Sequence, residues 1–174
     1  MDELVKAYDL AIKTEEEGYE LYRSGVRRSQ HPFGKEILDF LAKEELKHKA
    51  IIKRVMGDII EGKRARADDA ESLGLSAMEG KTIFTEALKN PDAKIPGEAD
   101  DLAILKAGVE FEEKGMTFFA EAAKNTDNEE AKRFFEIMAR EEKAHKALLL
   151  SSIEYLESPE TWFESQNPII LDGG

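Results

Sequence analysis

Glu45-Leu46-Lys47-His48 is matched 97 residues later by Glu142-Lys143-Ala144-His145 (45 to 142, 48 to 145). The chain holds three histidines, and two of them stand at equivalent places in this duplicated Glu-x-x-His pattern. Residues i and i+3 of an α-helix share a face, so each copy directs a carboxylate oxygen and an imidazole nitrogen toward one point. The flanking sequence is helical in its period. Ile37, Phe40, Leu41, Ile51, Ile52, Val55 and Ile59 form an apolar stripe along the segment near 33–61, with His48 at its centre. Phe134, Phe135, Ile137, Met138, Leu148, Leu149 and Ile153 do the same around His145 near 128–157. Glu44 and Glu45 both lie close to the inward face, Glu44 slightly better centred, so the wheel alone does not choose between them, nor between Glu141 and Glu142.

The same offset relates the segments that precede each motif. Glu15 maps to Glu112, Gly18 to Gly115, Tyr22 to Phe119 and Tyr8 to Leu105. Leu4, Tyr8, Ala11, Ile12, Tyr19, Tyr22 and Val26 make the stripe of a first helix near 3–29, and Glu15 falls in its middle, while Glu16 lies about 100° further round. Gln30-His31-Pro32 breaks the period, with proline suited to the first turn of the next helix. His31 reads as a solvated loop histidine, and Tyr19 and Tyr22 read as core. Asp127-Asn128 supplies capping oxygens for the fourth helix. The chain is thus a tandem of two helical hairpins, 3–61 and 98–157, with a long connection, 62–97. That connection holds the basic run Gly62-Lys63-Arg64-Ala65-Arg66 and a short helix expected over Ser76–Lys89, carrying Met78, Ile83, Phe84 and Leu88. It closes on Asn90-Pro91-Asp92 and Ile95-Pro96-Gly97. A connection of this length lets the third helix run parallel to the second. A C-terminal tail, 158–174, carries Trp162-Phe163, expected to dock on the bundle or on a partner subunit.

Composition agrees with an all-α chain. Of 174 residues, 36% are charged and 41% hydrophobic, aromatics are 8% and prolines number 5, as amphipathic helices require and sheets do not. The length suits one domain, here 1–157 plus the tail. A net charge of −12 argues against nucleic acid or an anionic membrane as partner and favours cations. The absence of cysteine excludes disulfides, thiolate zinc sites and iron–sulfur clusters. No apolar run approaches the ~20 residues of a membrane span, and a cytoplasmic location is expected.

The inward polar groups are Glu15, Glu45, His48, Glu112, Glu142 and His145. Two divalent ions would balance four carboxylates and allow the set to be buried without uncompensated charge. Carboxylate oxygen with imidazole nitrogen suits iron or manganese. A single Glu-x-x-His arises easily by chance in helices rich in Glu and Lys. Two copies at one offset, with stripe-centred glutamates matched at the same offset, do not.

At these residues the chain resembles the rubrerythrin branch of the ferritin-like superfamily, through Ala11-Ile12-x-x-Glu15-x-x-Gly18-Tyr19-x-x-Tyr22 with Glu44-Glu45-x-x-His48, then Glu112-x-x-Gly115 with Glu141-Glu142-x-x-His145. The likeness spans residues 3–157. It implies a ferritin-like four-helix bundle holding two iron ions, with manganese as the alternative metal. Glu45 and Glu142 would bridge, Glu15 and Glu112 would be terminal ligands, and His48 and His145 the nitrogen ligands. The expected activity is reduction of hydrogen peroxide or dioxygen with oxidation of Fe(II). Ferroxidase action in iron storage, a manganese catalase and a metal-binding module without turnover are the alternatives. Two departures qualify the likeness. Rubrerythrins carry a cysteine-rich electron-delivering domain, so a separate electron-donor protein is expected here. They also place a further glutamate where this chain has Gly115. A homodimer is expected, and the connection is long enough for subunits to exchange hairpins.

Overall fold

The computed structural model describes residues 2–63 and 97–166, with side chains to Trp162. The basic run from Arg64 onward, the short helix expected over Ser76–Lys89, the Phe163 side chain and residues 167–174 lie outside the described residues. Among the described residues five helices follow one another: α1 (Asp2–Arg28), α2 (Pro32–Ile60), α3 (Ala99–Lys124), α4 (Glu129–Glu157) and α5 (Pro159–Gln166). The expected boundaries of the first four agree within one residue, because local chemistry sets them. Pro32 opens α2, where its missing N–H leaves no bond unmade. Asn128 caps α4 by accepting from the Ala131 N–H at 2.9 Å. Gly62, at φ 66°, ends α2 with its own N–H on the Ile59 carbonyl and the Lys63 N–H on the Asp58 carbonyl, a left-handed exit that favours glycine.

α1 pairs with α2 and α3 with α4, forming the two hairpins. Between hairpins, Gly25 lies against Ile104 and Gly18 against Phe111, so α1 and α3 run antiparallel. Phe33 stacks edge-on against Tyr155 at 4.6 Å, which makes α2 and α4 antiparallel as well. Tyr8, near the start of α1, meets Phe134 and Phe135, near the start of α4. The third helix therefore runs parallel to the second, the arrangement the long connection permits.

The apolar core is divided. One block, with Tyr22, Phe33, Ile37, Leu41, Leu105 and Leu149, fills the end that holds the α1–α2 turn. The other, with Tyr8, Ile52, Val55, Phe119, Phe135 and Met138, fills the opposite end. Each large side chain buried this way contributes roughly 1.5–3 kcal/mol. Between the blocks lies a layer of buried carboxylates and imidazoles.

His31 corrects the sequence reading. It is only 6% exposed, its ring edge-on to Phe33, and its backbone N–H donates to Asp101. Asp101, in the first turn of α3, accepts from Ser29 Oγ (2.6 Å), Gln30 N (2.8 Å), His31 N (3.2 Å) and Glu98 N (3.2 Å). One carboxylate thus clamps the α1–α2 turn onto the second hairpin and covers the histidine. Trp162 of α5 is buried against Tyr155 at 5.5 Å, so the tail begins as a helix docked on α4. Among the described residues no helix is long and apolar enough to cross a membrane.

Candidate metal centre

The four long helices each deliver part of the layer. α1 gives Glu15, α2 gives Glu45 and His48, α3 gives Glu112, and α4 gives Glu142 and His145, and none is more than 1% exposed. His48 Nδ1 lies 3.2 Å from Glu15 Oε2 and 3.4 Å from Glu142 Oε1. His145 Nδ1 lies 3.7 Å from Glu45 Oε1 and 3.7 Å from Glu112 Oε1. Each histidine therefore faces the terminal glutamate of its own hairpin and the motif glutamate of the other. The two imidazoles stack at 5.1 Å with 10° between planes. Ligand-type atoms converge within 4.8 Å in one group of Glu15, His48 and Glu142, and in a second of Glu45, Glu112, Glu142 and His145.

All six residues singled out by the sequence come together here. Glu44 is buried too, but its Oε1 is held by Lys47 Nζ at 2.5 Å, and it groups only with the two histidines. Glu45 is the one that reaches Glu112 and Glu142. Gly18 and Gly115 make room for the motif carboxylates. A Cβ at Gly18 would stand 2.7 Å from Phe111 Cε1 and 3.1 Å from Glu45 Cδ, and one at Gly115 would stand 3.0 Å from Glu142 Oε2. The space beside position 115 is thus filled by Glu142, and a glutamate side chain there would displace it. The 97-residue offset extends even to the rim, where Glu16–Lys49 at 2.7 Å is repeated by Glu113–Lys146 at 3.3 Å.

Three groups, two beside the centre and one at the α1–α2 turn, escaped the sequence reading. Tyr22 donates its hydroxyl to Glu112 Oε1, Lys47 reaches back to Glu44, and Asp101 clamps the turn. Tyr22 carried a signal, since it stands on the stripe two turns beyond Glu15. The other two depended on contacts that no local pattern encodes.

Electrostatics divide the six. Burial, then the charge of Glu142, pushes Glu15 well above the ordinary 4.5, and burial with the charges of its neighbours does the same to Glu45 and Glu112. Burial also opposes ionisation of Glu142, but hydrogen bonds from His48 and Glu112 hold it down to about 2. Burial, the largest single influence, lowers His48, but Glu142 together with the charges of Glu45 and Glu141 outweighs it, so it lies above its ordinary 6.5. Burial and the charge on His48 drive His145 down to about 3. The metal-free layer is neutral when Glu15, Glu45 and Glu112 keep protons and anionic Glu142 faces cationic His48. Several buried atoms still lack a hydrogen-bond partner: Glu15 Oε1, both Glu45 oxygens, Glu112 Oε2 and both His145 nitrogens. Leaving such groups unpaired costs roughly 1–3 kcal/mol each. Convergent orphaned oxygens and nitrogens, with room cleared by two glycines, fit a pair of hard divalent cations.

The bundle with its inward Glu and Glu-x-x-His sets is consistent with an all-α, ferritin-like carboxylate bundle. The family model described as Rubrerythrin matches residues 103–169, a stretch that contains Glu112, Glu142 and His145, which is consistent with a rubrerythrin-like protein. No curated protein and no solved structure matches the chain. The family match and the buried Glu and His clusters support a di-iron protein in general terms.

Proposed function

We propose that this chain is a di-iron oxidoreductase of rubrerythrin type, reducing hydrogen peroxide, or dioxygen, with oxidation of Fe(II). The observation that carries this reading is the pair of facing half-sites, Glu15 with His48 and Glu112 with His145, between which Glu45 and Glu142 each reach the other hairpin's histidine. Glu45 and Glu142 would then be shared between the two metals, with Glu15 and Glu112 each serving one of them. When bound, two iron ions supply two electrons, which with two protons reduce one peroxide to two waters.

The remaining work belongs to the protein. The two apolar blocks exclude water from both ends of the layer, which strengthens every interaction inside it. Burial this complete suits a substrate of two non-hydrogen atoms, such as hydrogen peroxide or dioxygen. Glu44 lies within 4.8 Å of a ring nitrogen of each histidine and is joined to Lys47, which is half exposed, so Glu44 is placed to pass protons inward from the surface. An electron-donor protein is the proposed partner, since these 174 residues hold no cysteine to carry an iron–sulfur or rubredoxin-type redox centre. The chain assembles as a homodimer.

Stopped-flow mixing of the reduced, iron-loaded protein with peroxide or with dioxygen tests the reading. Peroxide is expected to oxidise the iron at least tenfold faster than dioxygen at equal concentration. Faster reaction with dioxygen, with iron retained as a growing mineral, would favour the ferroxidase alternative.

A further inference from the structure

Tyr22 breaks the internal symmetry of the centre. The offset of 97 that pairs every candidate ligand maps Tyr22 to Phe119. Tyr22 is fully buried and donates its hydroxyl to Glu112 Oε1. Its ring is confined, since a Cβ at Gly108 would come within 3.2 Å of Tyr22 Cε1 and Phe111 stands edge-on at 6.3 Å. Phe119 is equally buried, in the opposite apolar block against Phe135, and has no hydroxyl to offer Glu15, the counterpart of Glu112. Glu112 therefore has Oε1 engaged and Oε2 left for another partner, whereas Glu15 is held by no tyrosine. The ligand groups differ in the same sense, four residues around Glu112 and His145 against three around Glu15 and His48.

We propose that Tyr22 is a positioning residue that makes the two metal positions unequal, so that the Glu112–His145 position fills first. This rests on reading the cluster as a dinuclear centre. A carboxylate fixed by a tyrosine that is not itself a ligand keeps that bond when it takes up a cation, whereas Glu15 Oε2 lies 3.2 Å from His48 Nδ1, a contact between two prospective ligands that must open to admit the ion. Hydrogen-bond partners of metal ligands typically change metal affinity 10–100-fold. The pairing of a tyrosine on one side with a phenylalanine on the other confines that effect to one position.

The test is titration of the metal-free protein with Co(II), followed by the visible absorption of the bound ion. Alongside wild type run Tyr22→Phe and Phe119→Tyr, with thermal unfolding of each metal-free variant. Wild type is expected to bind two ions in two steps. Tyr22→Phe should weaken the tighter step about 10–100-fold and leave the weaker one unchanged, so that the steps draw together. Phe119→Tyr, which offers Glu15 a hydroxyl, should tighten the weaker step, and it carries the test alone if Tyr22→Phe does not fold. Two equivalent steps in wild type overturn the proposal and leave the dinuclear reading intact. So does a Tyr22→Phe variant in which both steps are unchanged or weaken alike, the latter being the mark of lost packing. Failure to bind two ions at all refutes the dinuclear reading and this proposal with it.

Discussion

Adding two equivalents of a divalent metal to the metal-free protein at pH 7 is expected to raise its melting temperature by more than 10 °C and to release close to four protons per chain. The protons are those that keep the empty layer neutral: one each on Glu15, Glu45 and Glu112, and one on His48. Two cations of charge +2 replace them without changing the net charge of a buried volume. Ligand at a thousand times its dissociation constant stabilises by about 4 kcal/mol per site. The pH dependence has a definite sign. Glu15, Glu45 and Glu112 have raised folded values, so their contribution is present below 4.5 and is lost as pH climbs through those values. His48, also raised, contributes below 6.5 and loses that contribution as pH rises. His145, lowered to about 3, works in the opposite sense: its contribution is full above 6.5 and lost as pH falls toward 3. Glu142, lowered to about 2, contributes above 4.5. Above pH 6.5 the opposing contributions of His145 and Glu142 are constant. Metal-free stability should therefore fall between pH 6.5 and 8, while the gain on adding metal grows across the same interval. Calorimetric unfolding at several pH values, with and without metal, checks both, and metal titration in two buffers of different protonation enthalpy counts the protons.

Replacing Asp101 by alanine is expected to cost about 3 kcal/mol of stability, on the order of the loss when a buried polar network is broken. The substitution would leave the Ser29 hydroxyl and the N–H groups of Gln30, His31 and Glu98 without their acceptor. It would also release the α1–α2 turn from α3, exposing His31. Burial raises the Asp101 carboxyl, but the hydrogen bonds from Ser29, His31, Gln30 and Glu98 outweigh it and hold the group below its ordinary 3.8. A depressed carboxylate contributes above its unfolded value, so wild type should lose this stabilisation as pH falls below about 4, and Asp101→Ala should lack that part of the acid transition. Urea unfolding of both proteins at pH 7 and pH 3 measures it. A difference below 0.5 kcal/mol at pH 7 would mean that the clamp does not hold the hairpins.

What could be read from the sequence was what repeats locally. Apolar stripes at three and four residues marked the helices, and proline, asparagine and glycine marked their ends. The duplicated Glu-x-x-His, with Glu15 and Glu112 centred on their stripes, marked all six residues that converge. What could not be read was decided across the fold. Asp101 looks like any acidic residue in a first helical turn, and its partners lie about 70 positions away. His31 looked solvated because the carboxylate that covers its turn comes from the other hairpin. The wheel centred Glu44 slightly better than Glu45 and did not choose between them, and they separate in space because Lys47 draws Glu44 aside while Gly18 leaves a pocket for Glu45. The hydroxyl of Tyr22 was invisible to an apolar stripe, which counts a tyrosine and a phenylalanine alike.

The central claim is that the buried layer holds two metal ions, and anaerobic titration with Fe(II) tests it most directly. Binding should saturate at two ions per chain in wild type, and at one in His48→Ala and in His145→Ala, since each removes the nitrogen donor of one position. The Glu45→Ala/Glu142→Ala double variant, lacking both residues that reach across the hairpins, should bind none tightly. Saturation at two ions in that double variant, or no saturable binding in wild type, would contradict the account.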